Sequence, residues 1–357
     1  MRHFSFRIGK CLLLSALLLC FLSASAWAAK PNIRIIGTGG TIAGVGSTSA
    51  NVSAYQSAVV AVDKLIAAVP ELKDVANVTG EQIFQIGSES YNNERWLKLG
   101  KRVSELLKSN DVDGVVITHG TDTVEETSYF LNLTLKSEKP VVLVGSMRPG
   151  SAMSADGPLN IYNAVIVAGD KASWGKGALV VMNDEIHSAR DVTKTNSVKV
   201  ETFRSLYGPL GTIVEGKPNY YRLPARPHTT QTEFDIDTLE TLPDVGVVYA
   251  HGNMSPLPYQ AFANAGFKAI IHMGTGSGSI ADYMAPAIKE LRSKGILIVR
   301  ATRTGSGPVV RNGEANDDEL DYIVTGDQNP AKARILMSLA LTKTQDTKEL
   351  QQIFWKY

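Results

Sequence analysis

The chain has 357 residues, of which 36 are Lys or Arg and 35 are Asp or Glu, so its formal net charge at pH 7 is +1. This balance argues against a nucleic-acid-binding protein, which would carry a basic excess. The mean hydropathy of −0.03 excludes a multi-span membrane protein, and an aromatic fraction of 7% with mixed charges is typical of a globular chain, not a disordered one. The length suffices for one large domain or two ordinary ones.

The first residues have the pattern of an export signal. Arg2, Arg7 and Lys10 make a basic start, residues 11–22 are an apolar run, and Ala26-Trp27-Ala28 is an A-x-A cleavage site. The run is shorter than the roughly 20 residues that span a membrane, which makes an uncleaved anchor the weaker alternative. We predict a signal peptide over 1–28 and a periplasmic protein without a membrane anchor. Removal of this peptide takes away both cysteines and three positive charges, leaving a net charge of −2 and no disulfide or thiol chemistry.

The rest of the chain alternates short β-branched runs with longer amphipathic stretches, a pattern typical of parallel α/β folds. Strands are predicted at 33–36, 83–86, 115–118, 141–144, 178–182, 245–249, 269–272 and 296–300. Helices are predicted at 59–69, 94–107 and 123–135. The strands are almost continuously apolar, which indicates a sheet covered on both faces.

A polar stretch without strong periodicity, residues 223–242, interrupts this alternation. We interpret it as a linker between two α/β domains. The predicted boundaries are 29–223 for a larger N-terminal catalytic domain with a mainly parallel sheet, 224–243 for the linker, and 244–357 for a smaller C-terminal domain.

Glycines, small hydroxyl residues and a few charges follow most of the predicted strands. In open α/β sheets ligands bind beyond the carboxyl ends of the strands, so this crowding predicts a pocket for a small polar ligand. The segments concerned are 37–44, 87–90, 119–123, 145–149, 183–185 and 190–194.

Motifs for common cofactors are missing from the sequence. The glycine-rich segment that begins at Gly37 has Ile42 where G-x-G-x-x-G requires its third glycine, and no Walker A motif occurs. The histidines show no paired metal-ligand spacing, and no G-x-S-x-G elbow is present. We expect no cofactor and no metal.

Threonine remains as a candidate nucleophile. A threonine hydroxyl attacks only when a neighbour removes its proton and donors stabilise the oxyanion. Thr41 in the glycine loop and Thr121 beside Asp122 are both candidates, Lys194 is a candidate base, and Asp122 could bind a substrate ammonium.

Simpler interpretations of these residues stay open from local sequence. Asp122 has capping-box spacing with Glu125 and could only cap a helix. Thr41 could cap a turn, and Lys194 could be an ordinary solvated lysine. His119 could serve only to support its turn.

Two of these segments, taken together, resemble the signatures of the bacterial asparaginase family. They are Ile-Ile-Gly-Thr-Gly-Gly-Thr-Ile-Ala at 35–43 and Gly-Val-Val-Ile-Thr-His-Gly-Thr-Asp-Thr-Val at 114–124. The similarity extends from Pro31 to the end of the chain, and the export signal matches the type II branch. The resemblance implies hydrolysis of a side-chain amide through an acyl-threonine intermediate, without a cofactor.

The resemblance also implies roles for individual residues. Thr41 matches the attacking threonine, Tyr55 the tyrosine of a mobile loop that closes over the site, and Glu314 the acid behind that tyrosine. A second group, which assists, matches Thr121, Lys194 and Asp122. The residues that match those holding the substrate's α-carboxylate and α-ammonium are Ser88, Glu89 and Asp122.

Two departures from strict asparaginases bear on the substrate. Glu89 stands where they usually carry Gln, and Ser279 where they usually carry Asn, and both choices resemble the glutaminase-asparaginase subgroup. In the family one subunit's C-terminal domain completes its neighbour's site, so Ser279 is expected to act across an interface of a homotetramer. A strict asparaginase is the alternative enzyme. A periplasmic amino-acid-binding protein is the more distant alternative, since it would need neither threonine arrangement.

Overall fold

The predicted alternation of strands and helices becomes two main β-sheets and two short two-stranded sheets in the computed structural model, which describes residues 29–357. The predicted signal peptide and its cleavage site at 26–28 lie outside the described residues. Pro31–Tyr357 form one compact unit. Within residues 29–357, no helix combines the length and the apolar character needed to cross a membrane.

The strands are, in chain order, β1 (Asn32–Gly39), β2 (Val45–Gly46), β3 (Tyr55–Gln56), β4 (Asn77–Ile86), β5 (Gly114–Thr118), β6 (Val141–Val144), β7 (Ala178–Met182), β8 (Glu185–Ser188), β9 (Val192–Lys194), β10 (Phe203–Ser205), β11 (Gly211–Val214), β12 (Lys217–Tyr220), β13 (Val245–Tyr249), β14 (Ala269–Gly274), β15 (Leu297–Thr302) and β16 (Ile323–Val324).

The helices are α1 (Val62–Ala67), α2 (Leu72–Val75), α3 (Asn93–Lys108), α4 (Val124–Thr134), α5 (Gly157–Gly169), α6 (Leu257–Asn264), α7 (Ala285–Ser293), α8 (Asp317–Leu320), α9 (Pro330–Ala340) and α10 (Thr347–Lys356).

The large sheet has eight strands in the order β12-β11-β8-β7-β6-β5-β1-β4. From β4 to β7 all neighbours are parallel, while β8, β11 and β12 add an antiparallel edge. Central strands such as Gly114–Thr118 are buried throughout because helices cover both faces. The predicted mainly parallel α/β fold is confirmed.

The small sheet is parallel, in the order β13-β14-β15-β16. Helix α9 packs against its strands and also against α4 of the large-sheet part, and most of its residues are buried. This helix therefore joins the two sheets through one apolar core.

One predicted helix needs correction. The helix predicted at 59–69 begins only at Val62, because the N–H groups of Val59 and Val60 both donate to the Ala43 carbonyl instead of joining a helical turn. Val59 is therefore exposed and does not join the predicted apolar face. The division into two domains joined by a linker stays a prediction, and the linker stretch 223–242 carries buried apolar side chains that include Phe234 and Ile236.

A buried ion pair organises the loops that follow the small sheet. Arg300 on β15 donates from Nε to Asp317 Oδ1 at 2.7 Å and from Nη2 to Asp317 Oδ2 at 2.9 Å, and both side chains are fully buried. The same guanidinium donates to the carbonyls of Ser277 and Gly278 at 3.3 Å. It thereby fixes the backbone that leads into Ser279.

We expect Asp317→Ala to lower the free energy of unfolding by about 3–5 kcal/mol, because it leaves the Arg300 guanidinium buried without its counter-ion. The measurement is a urea titration followed by circular dichroism. The matched control is Glu201→Ala, which removes the exposed partner of Arg204 and should cost at most about 1 kcal/mol. Equal losses for the two variants would contradict the assigned role of the buried pair.

Candidate active site

Three strand ends of the large sheet lie close against one another. A Cβ atom placed on Gly40, after β1, would lie 2.4 Å from the Cα of Gly120, which follows β5. A Cβ on Gly120 would lie 2.6 Å from Oγ of Ser88, which follows β4. Gly40 also has a φ of 81°, a conformation that favours glycine. Glycine at both positions therefore lets the loops touch, and each loop continues directly into a threonine.

Thr41 and Tyr55 form the first pair of the site. Thr41 opens a single 3-10 turn, is 8% exposed, and its Oγ1 lies 2.7 Å from the Tyr55 hydroxyl. Tyr55 is carried by the antiparallel pair β2–β3. Hydrogen bonds to residues 151–153 hold this hairpin and its loop in place. Gly46 N–H donates to Ser151 Oγ at 2.7 Å, and Met153 N–H donates to the Ser49 carbonyl at 2.8 Å. The predicted loop is thus closed over Thr41.

Thr121, Lys194 and Asp122 form the second group. The Lys194 ammonium donates to Thr121 Oγ1 at 2.8 Å and to Asp122 Oδ1 at 2.6 Å. The Lys194 side chain is only 17% exposed, so the interpretation as a solvated lysine is wrong. The helix-cap interpretation of Asp122 is also wrong, because Thr123 occupies the cap position of α4 and neither side chain caps the helix.

The predicted substrate-binding residues lie beside this second group. Ser88 is buried, and its Oγ accepts the backbone N–H of Asp122 at 3.1 Å while its carbonyl accepts the Thr123 hydroxyl at 2.7 Å. Glu89 is exposed, and its carboxylate folds back over Gly87. The carboxylates of Glu89 and Asp122, whose side chain is 61% exposed, are therefore accessible acceptors for a cation.

Ser279 and Glu314 make a separate pair in the small-sheet part. The Ser279 hydroxyl donates to a carboxylate oxygen of Glu314, and the Ser279 carbonyl accepts from His272 Nε2 at 2.8 Å. Within residues 29–357 of one chain, no hydrogen bond links Glu314 to Tyr55. The predicted Thr41–Tyr55–Glu314 arrangement is therefore only half assembled in a single chain.

His119 supports its turn, as the simpler interpretation of the sequence has it. Its Nδ1 donates to the Gly120 carbonyl at 2.7 Å, and its ring stacks on Tyr91 with centroids 4.6 Å apart. Complete burial lowers the pKa of His119 to about 4, so the ring is neutral at physiological pH. A neutral histidine fixes the backbone at Gly120 without adding charge next to Thr121.

Sequence reasoning missed one residue next to the site and misplaced one segment. Glu125, whose spacing from Asp122 resembled a capping box, is 9% exposed and accepts the backbone N–H of Lys194 at 2.7 Å. The signal that could have revealed Glu125 is its position on the buried side of the helix that directly follows the Thr121 loop. Segment 183–185, predicted to line the pocket, instead turns β7 into β8 with Asn183 and Asp184 at positive φ.

This arrangement suits acyl transfer. Two threonine hydroxyls lie after neighbouring strands, one hydrogen-bonded to a tyrosine and one to a lysine, and each is at least nine-tenths buried. Such environments favour a hydroxyl nucleophile and strengthen donors to an oxyanion. In the described part of the chain, no group of three or more His, Cys, Asp or Glu side chains is arranged to hold a metal ion.

Comparison with known proteins gives two family matches. Residues 32–226 match the model "Asparaginase, N-terminal", and residues 244–354 match "Glutaminase/Asparaginase C-terminal domain". These matches together span most of the chain.

Individual relatives are similar over nearly their whole length. The glutaminase-asparaginase of Pseudomonas fluorescens biotype A is 58% identical over 91% of this chain and 90% of its own. The "Probable L-asparaginase periplasmic" of Haemophilus influenzae is 48% identical over 96% of this chain and 99% of its own. The crystal structure of the probable cytoplasmic L-asparaginase from Campylobacter jejuni superimposes with a TM-score of 0.89 at 45% identity, covering 92% of this chain and all of that one.

We expect Gly40→Ala to destabilise the chain by more than a positive φ alone explains, because the new Cβ would meet the Gly120 backbone. The matched control is Gly175→Ala, since Gly175 also has positive φ, 66°, but nothing lies within 4 Å of its Cβ position. The control should cost about 1–2 kcal/mol, and Gly40→Ala at least about 2 kcal/mol more. Urea titration of both variants measures the difference, and equal costs would show that the contact is not tight.

Proposed function

The chain belongs to the glutaminase/asparaginase family, and we propose from this premise that it hydrolyses the side-chain amides of L-glutamine and L-asparagine to glutamate or aspartate and ammonia. The observation that carries the proposal is the pair of buried, hydrogen-bonded threonines in a family whose member from P. fluorescens is a glutaminase-asparaginase. No step in this hydrolysis calls for a cofactor.

Thr41 is the nucleophile of the proposed mechanism. Its hydroxyl oxygen attacks the carboxamide carbon, and the Tyr55 hydroxyl at 2.7 Å orients and polarises it. The tetrahedral oxyanion collapses with cleavage of the C–N bond, and the threonine proton leaves as part of ammonia. Water then hydrolyses the acyl-threonine ester, which restores the Thr41 hydroxyl. Thr121, hydrogen-bonded to Lys194, assists the proton transfers.

Substrate binding relies on charge complementarity at the α-carbon. The carboxylates of Glu89 and Asp122 accept from the α-ammonium, and the Ser88 hydroxyl retains its proton for donation to the α-carboxylate, because its Oγ serves as acceptor towards Asp122 N–H. The Lys194 charge is balanced by Asp122 at 2.6 Å. The side-chain amide is thereby directed at Thr41.

Glu89 and Ser279 support a dual substrate preference over a strict asparaginase. Glutamine and asparagine differ by one methylene, a difference that a pocket discriminates by only about 1–3 kcal/mol. Modest changes at the α-amino end of the site are therefore enough to change the preference.

A neighbouring subunit completes the site in this proposal. Glu314 is exposed and bonded to Ser279, not to Tyr55, and a partner in a homotetramer would supply its own Ser279–Glu314 pair to this chain's Tyr55. The assembled protein works in the periplasm, a placement supported by the export pattern of residues 1–28 and by the relative named periplasmic. The solved relative named cytoplasmic shares the fold despite its different location.

Thr41→Ala should lower kcat for both amides by on the order of 10³-fold or more, because no other group can carry the acyl ester at this position. Ammonia release from the purified mature protein measures the effect, with Thr41→Ser as the control that keeps a hydroxyl and retains turnover. A loss under tenfold would assign the attack to Thr121. Tight binding of glutamine by the parent protein without any ammonia release would instead identify an amino-acid-binding protein.

The kcat/KM values of the parent enzyme for glutamine and asparagine should agree within about tenfold, which corresponds to 1.4 kcal/mol. Glu89→Gln should shift the ratio towards asparagine by about tenfold, because it removes one carboxylate from the ammonium site. Glu71→Gln, an exposed glutamate in front of α2, is the control and should leave the ratio unchanged. A parent preference for asparagine beyond a hundredfold would establish the strict alternative.

A further inference from the structure

The strand that carries Lys194 is poorly anchored by backbone pairing. β9 has three residues, and among residues 29–357 it pairs only with β10, in a two-stranded sheet separate from the large one. The threonine that Lys194 must reach follows β5 in the centre of the large sheet. Backbone hydrogen bonds of the large sheet therefore do not set the distance between the two side chains, and side chains from elsewhere must do so.

Glu125 provides the first of these contacts. One carboxylate oxygen, Oε2, accepts both the Thr193 hydroxyl at 2.6 Å and the Lys194 backbone N–H at 2.7 Å. The carboxylate is buried on α4, four residues after Thr121. Since α4 begins directly after the Thr121 loop, Glu125 ties the backbone of Lys194 to the element that also places Thr121.

Asn329 orients that carboxylate from the C-terminal half of the chain. Its Nδ2 donates to Glu125 Oε1 at 3.1 Å and lies 3.4 Å from Thr193 Oγ1. Its Oδ1 accepts the Lys332 N–H at 2.9 Å and so caps α9. The start of α9 and the position of the Glu125 carboxylate are therefore set by the same side chain.

Lys332 holds the other end of β9. Its ammonium is buried and donates to the Arg190 carbonyl at 2.9 Å and to the Val192 carbonyl. Burial lowers the pKa of Lys332 to about 8, with Glu125, Asp191 and Asp327 favouring the charged form and Arg190 opposing it. At neutral pH the ammonium is thus still charged and available as a donor to the strand.

We propose that Glu125, Asn329 and Lys332, here called the β9 cradle, are positioning residues that set the reach of the Lys194 ammonium to Thr121 Oγ1. Through these residues, α9, the helix that follows the small sheet, sets the position of Lys194 in the large-sheet part of the same chain. This inference rests on the proposed function, since it takes Lys194 as part of the catalytic machinery. None of the three residues needs to touch the substrate.

The test uses two cradle variants with different structural costs. Asn329→Ser keeps a good helix cap but its shorter side chain cannot replace the donor to Glu125. Glu125→Gln keeps the shape but puts an NH2 group where the carboxylate accepts hydrogen bonds from both sides. Both should lower kcat by about 10–100-fold, the cost of a small displacement of a catalytic group, with KM within about threefold of the parent.

The matched control removes a contact between the same two helices that does not involve β9. Arg334 on α9 pairs with Glu126 on α4 at 2.9 Å, so Arg334→Met should lower thermal stability while kcat stays within twofold. If both cradle variants behave like this control, the cradle is purely structural and the inference is wrong. If both cradle variants lose kcat selectively, together with a measurable loss of stability, the inference stands.

Lys194→Met and the parent protein, measured in the same assay, separate failure of the inference from failure of the proposed function. Absence of ammonia release by the parent would overturn the proposed function. If the parent is active and Lys194→Met retains its kcat, the assisting role of Lys194 and the positioning role of the β9 cradle are both wrong, while the hydrolysis and its Thr41 nucleophile are unaffected. If Lys194→Met is inactive while the cradle variants remain fully active, only the positioning role is wrong.

Discussion

The backbones of Gly40 and Gly120 touch where β1 and β5 end, and the arrangement of the site depends on that contact. A side chain at either position would push the loops apart, and each loop places its threonine one residue later. Neighbouring parallel strands in register bring the two peptide segments to the same edge of the sheet. The two threonine hydroxyls are thereby held by the backbone that follows β5, a fully buried central strand, and β1 beside it, without any flexible side chain in between.

The groups around these threonines differ in how firmly they are held. Thr121 is backed by His119, whose neutral ring is locked between Tyr91 and the Gly120 carbonyl. The Lys194 side chain is supported indirectly, through buried polar groups of α4 and α9. Tyr55 is held by a two-strand hairpin and a few backbone bonds to the segment around Ser151. We therefore expect local stability to decrease from the large sheet towards Tyr55, the residue on the loop that moves in the proposed mechanism.

Much of this fold could be predicted from the sequence, because buried parallel strands are nearly continuous apolar runs and α3 has a regular apolar face. Trp96, Leu99 and Val103 are buried as that pattern predicts. The start of α1 could not be predicted, since it depends on tertiary hydrogen bonds from Val59 and Val60 to Ala43. Thr41, Thr121 and Asp122 could be singled out from the sequence because they lie within the two short segments, 35–43 and 114–124, that resemble the family signatures. The role of Glu125 could not be predicted, because its local sequence suggests a helix cap while its actual contact is with Lys194, sixty-nine residues away.

The connection between the two sheets has a consequence for how ligands enter and leave. Phe234 and Ile236 lie wholly inside the core, and Asp237 within the same segment accepts from Ser104 of α3 at 3.0 Å. A two-domain binding protein closes on its ligand by bending the exposed segments that connect its domains. The connecting segment 223–242 is packed against the core in this chain, so it is not free to bend in that way. In the proposed mechanism, access to Thr41 therefore depends on the eight residues, 47–54, of the β2–β3 loop. A movement confined to this loop would gate turnover without repacking the core from one catalytic cycle to the next.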